Sequence, residues 1–361
     1  MIQFKTSFKL IEFSCSLPDV EMHINNTRAH VTISVSHSGS TLSLFDENLY
    51  PDADNNIILT DLGRLTETVA EMWLKFSLTI TVTEQLVDAN LNVSTIDTRS
   101  LMASAVVRCR ANVVSLTPSE FCNKHFLTLL DGTRVTSPGR KELLSYIGIE
   151  DAVVIRFFDD GSSSTTGVSP LQTGDGYVIL DVSPDNFNVG LKKLVRYLIK
   201  AGSREQWYEV DWDCDPDISP VLLFTNSFGV QELAYCTGEH RQVSSFDRKQ
   251  ARIGKLKRSY DIEERETFHA DTGILSFPMA NWWRDVLRSR DIQVLPVTEG
   301  AVVVDGGKPV IITSEKAELS NEASHLPRFT FEYEYADRNH NIWEQPREGR
   351  IFDNTFDYTF N

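Results

Sequence analysis

Alternation of apolar and polar residues with a period of two dominates this chain. Val31, Ile33 and Val35 alternate with Thr32 and Ser34, and Phe76, Leu78, Ile80 and Val82 alternate with Ser77, Thr79 and Thr81. Tyr208, Val210, Trp212 and Cys214 alternate with Glu209, Asp211, Asp213 and Asp215. Phe329, Phe331, Tyr333 and Tyr335 alternate with Thr330, Glu332 and Glu334. Successive side chains of a strand face opposite ways, so each run predicts an antiparallel strand with one buried face. Turn chemistry separates such runs at Asp131-Gly132, Asp160-Gly161 and Asp305-Gly306-Gly307. The last predicts a hairpin joining Val302–Val304 to Val310–Ile312. The Ser/Thr-rich stretch from Gly161 to Gly167 reads as an exposed loop.

Helical spacing occurs twice. Leu62, Leu65, Val69, Met72 and Trp73 form one stripe, with Asp61 placed as its N-cap. Met279, Trp282, Trp283, Val286 and Leu287 form the second, and adjacent indoles leave room for at most one on the core stripe. The long crossover helices of a parallel α/β fold are missing. The chain is therefore expected to be mainly β, a multidomain assembly of antiparallel β-sandwich or barrel-like modules. Two accessory helices and an extended C-terminal arm complete it. Borders are expected near residues 90, 215 and 336, giving three modules (1–90, 91–215 and 216–336) and an arm over 337–361.

Length and charge narrow the classes. The 361 residues suit two or three domains, and 41% hydrophobic with 24% charged residues is ordinary globular usage. A formal charge of −16 opposes attraction to DNA or anionic lipid, so nucleic acid is not an expected partner. No apolar run approaches the roughly 20 residues that span a bilayer, and the first five residues lack a signal-peptide core. Membrane insertion is not expected. The five cysteines are scattered without a CxxC pair, which predicts neither a zinc site nor a disulfide framework and fits a reducing compartment.

Candidate chemistry is sparse. Asp52, Asp54 and Asn56 begin like a calcium loop, but Ile57 and Gly63 stand where glycine and a bidentate glutamate belong, so a plain turn is expected. The acidic row Glu209, Asp211, Asp213, Asp215 and Asp217 reads as the wet face of a strand. Its alternate residues lie about 7 Å apart, too far to share one ion. The eight histidines have no ligand spacing, and no nucleophile elbow, phosphate loop or dinucleotide fingerprint is present. No catalytic residue, cofactor or metal ligand is predicted, and the protein is not expected to be an enzyme. Six tryptophans allow a glycan-stacking platform as the alternative partner surface, with Trp282, Trp283 and Trp343 as its candidates.

Two features point to protein contacts. Arg248, Lys249, Arg252, Lys255, Lys257 and Arg258 form a basic block in an acidic chain, followed at once by Asp261, Glu263, Glu264 and Glu266. They predict an exposed hairpin whose opposite charges pair across its own strands, or whose cations meet an acidic patch on another subunit. In the terminal segment, Phe352, Phe356, Tyr358 and Phe360 share one face of an extended strand, and four rings in water favour docking, either as an edge strand on the chain's own third module or by strand addition to a neighbouring subunit.

Three stretches carry a resemblance: Leu49 to Leu62, Thr225 to Glu232 with Tyr235 to Gly238, and Phe329 to Asp337 with the terminal Arg350 to Phe360 segment. Together they resemble β-rich, uncharacterised proteins of bacteriophages and prophages of gut Bacteroidetes, found among tail and other virion components. The resemblance implies a non-catalytic structural part of a tail or baseplate, located in the virion and made in the host cytoplasm. Its partners would be other virion proteins and further copies of the chain. It transfers no functional residues.

Overall fold

A computed structural model describes residues 1–111, 116–174, 176–188, 192–214, 220–298, 300–319 and 326–337. The expected C-terminal arm, with Phe352, Phe356, Tyr358, Phe360 and Trp343, lies outside the described residues. The architecture is mainly β, built from several sheets whose pairings are antiparallel except for two short parallel ones.

The first unit is a sandwich. Its strands are β1 (Gln3–Phe4), β2 (Glu12–Phe13), β3 (Val20–His23), β4 (Arg28–His37), β5 (Ser40–Leu49), β6 (Asn56–Leu59), β7 (Lys75–Val87) and β8 (Val93–Val107). One sheet has the order β1-β3-β6 and the other β2-β8-β7-β4-β5. The predicted alternation in β4 and β7 is realised, because Val31, Ile33, Val35, Phe76, Leu78, Ile80 and Val82 are buried against Val20, Met22, Ile57 and Leu59. β8 pairs along most of β7, so this sheet runs through Val107, beyond the expected border at residue 90. The first predicted helix is two short pieces, α1 (Leu62–Leu65) and α2 (Glu67–Met72). Asp61 precedes them in a left-handed conformation (φ 60°), and its side chain makes no cap hydrogen bond.

The second unit opens with a helix that apolar periodicity does not reveal, α3 (Pro118–Lys124). Its signal is capping chemistry: the Thr117 hydroxyl accepts from the Glu120 N–H, Glu120 reaches back to the Thr117 N–H, and Pro118 starts the first turn. Strands β9 (Arg134–Thr136), β10 (Leu143–Ile147), β11 (Ala152–Phe158), β12 (Ser163–Val168), β13 (Pro170–Gly174), β14 (Tyr177–Asp181), β15 (Leu194–Ala201) and β16 (Arg204–Val210) follow. They form sheets of order β10-β14-β13 and β12-β11-β15-β16-β9, packed through Tyr146, Val154, Leu180, Tyr197 and Tyr208. The polar stretch expected to be a loop supplies β12, which pairs with β11 from Val168 to Ser163, so Asp160-Gly161 turns a true hairpin. The acidic strand is shorter than its alternation suggests: β16 ends at Val210, and Asp215 and Asp217 lie outside the described residues.

The third unit holds β17 (Val221–Thr225), β18 (Gln231–Tyr235), β19 (His240–Ile253), β20 (Leu256–Asp271), α4 (Phe277–Arg288), β21 (Ile292–Leu295), β22 (Val297–Thr298), β23 (Ala301–Val302), β24 (Lys308–Glu318) and β25 (Arg328–Tyr335). Seven of these strands make one sheet, β18-β17-β21-β24-β25-β20-β19. The hairpin expected at Asp305-Gly306-Gly307 does not form. Val302 pairs back with Val297, while β24 pairs with β21 and β25.

α4 covers one face of the sheet, and both its indoles are buried, contrary to expectation. Trp282 meets Phe224 edge-on at 5.6 Å and lies 4.8 Å under the Arg134 guanidinium, whereas Trp283 packs on Phe331 at 6.2 Å. The helix is sheltered by the sheet on one side and by the second unit on another, so a single apolar stripe does not describe it.

All three units meet at one apolar junction. Phe13, Val107 and Cys109 come from the first, Phe121, Cys122, Leu127, Ile147 and Tyr177 from the second, and Phe228 and Val230 from the third. The Asn226 side chain shapes the loop that delivers Phe228, accepting from the N–H groups of Phe228 (2.9 Å) and Val230 (3.2 Å). Gly229 (φ 82°) completes that turn where any Cβ would stand 2.5 Å from Arg108 Cδ. Two hydrogen bonds stitch the same place: the backbone Arg110 N–H donates to Ser227 O at 2.9 Å, and the Tyr177 hydroxyl donates to Leu74 O at 2.8 Å. Phe228 is fully buried and stacks on Phe121 at 5.0 Å. Phe228→Ala should therefore lower unfolding free energy by about 3–5 kcal/mol and split the transition, which urea denaturation followed by two probes would detect.

Candidate functional site

The basic block sits at the end of a projecting β-ribbon. β19 and β20 pair from His240–Ala270 out to Ile253–Leu256. β25 pairs with β20 only between Phe268 and Asp271, so from Leu256 to Thr267 the ladder partner among the described residues is β19. At roughly 3.3 Å per residue this free length is about 40 Å. Gly254 (φ 63°) takes the first of two turn positions, where a two-residue hairpin demands a left-handed residue.

Every predicted cation, Arg248, Lys249, Arg252, Lys255, Lys257 and Arg258, is exposed on this ribbon. Between residues 248 and 258 there is no carboxylate. Closer to the sheet lies an acidic collar of Asp247, Asp261, Glu263, Glu264 and Glu266. Lys249 pairs with Asp261 at 2.8 Å, and that hydrogen bond raises its ammonium above the usual lysine range. Arg248 lies 5.7 Å over the Phe246 ring, and Arg252 Nε donates to Gly254 O at 3.1 Å. The ladder shifts register between Lys249 and Gln250, twisting the edge just where the cations begin.

Exposed apolar groups accompany the charge, a feature the linear block conceals. Phe246 (51% exposed) and Ile262 (51%) share one face with Arg248, and Tyr260 (69%) stands at the register shift. The cross-strand pairs Phe246–Glu264 and Arg248–Ile262 set them side by side.

At the root of the ribbon a polar groove of about 270 Å³ crosses β19, β20, β24 and β25. His269 Nδ1 lies 3.0 Å from Glu332 Oε1, and Arg328 Nε donates to Asp271 at 2.6 Å. Glu239, Arg241 and Lys316 complete its charged lining. The His269–Glu332 and Arg328–Asp271 pairs both tie β20 to β25 at this rim of the sheet.

A second polar centre is buried between the second and third units. Arg134 and Glu142 form an ion pair at 2.8 Å, and the Arg134 guanidinium also donates to Leu233 O. Glu232, opposite Phe224 in the ladder, accepts from Trp282 Nε1 at 2.8 Å, from the Thr128 hydroxyl at 3.0 Å and from the Asn226 amide. Burial pushes the Glu232 carboxyl up to about 7, against the pull of Asn226, Arg134 and Trp282. Burial likewise raises Glu142, opposed by Arg134 and Arg140. Nothing in the linear pattern marks Glu232, although Asn226 six residues earlier supplies its partner.

Among the sequence candidates, the six cations converge on one apex, the tail aromatics lie outside the described residues, and the calcium-like loop is an Asx turn. Asp52 Oδ1 in that loop accepts from Asp54 N–H (2.9 Å) and Asn56 N–H (2.8 Å). Trp282 and Trp283 are committed to the core. Trp207 stacks on Phe157 at 5.8 Å beneath Arg196, and Trp212 Nε1 donates to Leu194 O at 2.8 Å. Among the described residues no helix is long and apolar enough to cross a membrane.

No protein-family model and no curated protein matches the sequence. Two solved structures are weakly similar in shape. One comes from work on host cell surface retention of a 1.5-MDa bacterial ice-binding adhesin, with 10% identity, 84% of this chain and 94% of that chain covered, and a TM-score of 0.20. The other is an ICAM-5 D1–D4 ectodomain fragment, with 10% identity, 84% and 73% covered, and a TM-score of 0.22. At those scores neither likeness bears on function.

The raised Glu232 carboxyl has a definite pH signature. Its unfolded value is about 4.3, so its stabilising contribution is complete below that pH and is lost as pH climbs from there through 7, by about 4 kcal/mol. Urea denaturation between about pH 5 and pH 8 should show this decline. Glu232→Gln should flatten it while costing about 1–3 kcal/mol at the acidic end, because its NH2 would meet that of Asn226.

Proposed function

We propose that this chain is a non-catalytic assembly subunit that engages a second copy of itself through the apex of the β19–β20 ribbon. The observation that carries the reading is a ribbon projecting about 40 Å with six cations at its end and both faces exposed. A monomer gains nothing from such a projection, since among the described residues neither edge nor face contributes to a core. A chain of net charge −16 offers every incoming copy an acidic target, and the cationic apex is complementary to it. Phe246, Tyr260 and Ile262 supply apolar area that such a contact would bury.

The contact is heterologous, apex to acidic flank, so it repeats from copy to copy and closes only as a ring. The resemblance to tail and virion proteins of Bacteroidetes phages and prophages supports a tail or baseplate as the setting, with the terminal aromatic arm as a second contact. Burial of Trp282 and Trp283 removes two of the three indoles considered for a glycan platform, and the third, Trp343, lies outside the described residues.

Sedimentation of the full chain tests the reading. Self-association is expected at about 50 mM salt and should be lost near about 500 mM, where screening is far stronger. The variant Arg252→Glu/Lys255→Glu/Lys257→Glu should weaken it at least about tenfold, which is about 1.4 kcal/mol, with an unchanged circular dichroism spectrum. Association unaffected by the charge reversal would overturn the proposal. So would a monomer at every salt concentration, or apex-dependent binding of a single-stranded oligonucleotide instead of the chain itself.

A further inference from the structure

β2 and β8 are 94 residues apart in sequence at their paired positions, yet they run side by side in parallel, Glu12 with Val106 and Phe13 with Val107. Two residues beyond the last pair on each segment stand Cys15 and Cys109. The Ser14 hydroxyl locks the two segments together, donating to Cys109 O at 3.2 Å and accepting from Cys109 N–H at 3.1 Å. Both thiols then converge on one acceptor: Cys15 Sγ is 3.5 Å and Cys109 Sγ 3.3 Å from the Ala111 carbonyl oxygen. Cys15 is exposed, whereas Cys109 is buried in the three-unit junction.

We propose that Cys15 and Cys109 are an oxidisable dithiol, which a hydroperoxide converts to an intramolecular disulfide. The asymmetry of the pair suits a division of labour. The exposed Cys15 meets the oxidant, and the sheltered Cys109 resolves the product. The hydrogen bond from Cys109 lowers the Cys15 thiol to about 7, so a large share of it is thiolate at neutral pH. The same contact and burial push the Cys109 thiol up, which keeps it protonated until Cys15 has reacted.

In the first step the Cys15 thiolate attacks one oxygen of the peroxide. An S–O bond forms, the O–O bond breaks, and the departing alkoxide or hydroxide takes a proton to leave as alcohol or water. Cys15 is then a sulfenic acid. In the second step Cys109 sulfur attacks Cys15 sulfur, the S–S bond forms and the S–O bond breaks. The leaving hydroxide carries the Cys109 proton away as water. Two thiols lose two electrons in all, and one peroxide gains them. The product ties the turn after β2 to the segment after β8, which leads into the second unit.

Peptide mapping of the full chain after stoichiometric hydrogen peroxide tests this. The expected result is a monomer lighter by the mass of two hydrogens, a fall from five titratable thiols to three, and a Cys15–Cys109 cross-link that dithiothreitol reverses. Cys15→Ser, a change at an exposed position, should abolish the cross-link, and Cys122→Ala should leave it intact. Alkylation of Cys15 should follow a titration centred near pH 7. A Cys109–Cys122 link, dimers joined through Cys15, or over-oxidation of Cys15 with Cys109 still free would each overturn the proposal. An unchanged thiol count would do the same.

Discussion

Everything in this molecule is hung on one shared apolar junction. A β-sandwich of this size normally closes around its own core, but here Phe13, Phe121 and Phe228, one from each unit, complete a core that none of the units owns. Burying such rings is favourable by about 1.5–3 kcal/mol each, provided that the polar backbone around them is satisfied. The Asn226 turn, the Ser227–Asp285 hydrogen bonds and the carbonyls gathered by Arg204 meet that condition. Arg204 alone bonds Cys122 O at 2.8 Å and Ile147 O at 2.6 Å from an almost fully buried position.

Rigidity at the junction is what makes the ribbon useful. Its root is embedded: Phe268 stacks on Tyr333 at 4.9 Å, and His240 Nε2 sits 2.9 Å from the Tyr333 hydroxyl. Beyond Phe268 the β25 ladder ends and the Thr267 hydroxyl bonds Glu334 at 3.1 Å, so the ribbon is held like a beam fixed at one end. Among the described residues its two long edges are unpaired, a standing invitation to uncontrolled strand pairing. Lysines, arginines and the register shift at Lys249 blunt them, and they leave a surface that attaches by charge rather than by ladder extension.

Much of this was legible in the chain, and the failures have identifiable causes. Alternation exposed β4, β7 and β25 because each has one dry and one wet face, and helical spacing exposed α4. α3 escaped because its identity lies in the Thr117–Glu120 cap rather than in a stripe. Asp305-Gly306-Gly307 misled because Gly307 is selected by the close approach of Gln293 and Leu295, not by a hairpin. The six apex cations were readable as a cluster, since charge neighbours in a hairpin are also neighbours in sequence. Glu232 with Thr128 and Trp282, and Cys15 with Cys109, were not readable, because only tertiary folding brings partners that far apart together.

The order of charge along the ribbon has one more consequence. From the Arg252–Lys257 pair to the Phe246–Glu264 pair the ribbon runs about 20 Å, more than twice the roughly 8 Å over which ions in cellular fluid blot out a field. The outermost cations are thus screened from the Glu264 end of the collar, and among the described residues only the Lys249–Asp261 pair joins the two zones. An anionic surface that comes within the screening length of the tip meets positive charge alone, which favours contact end-on.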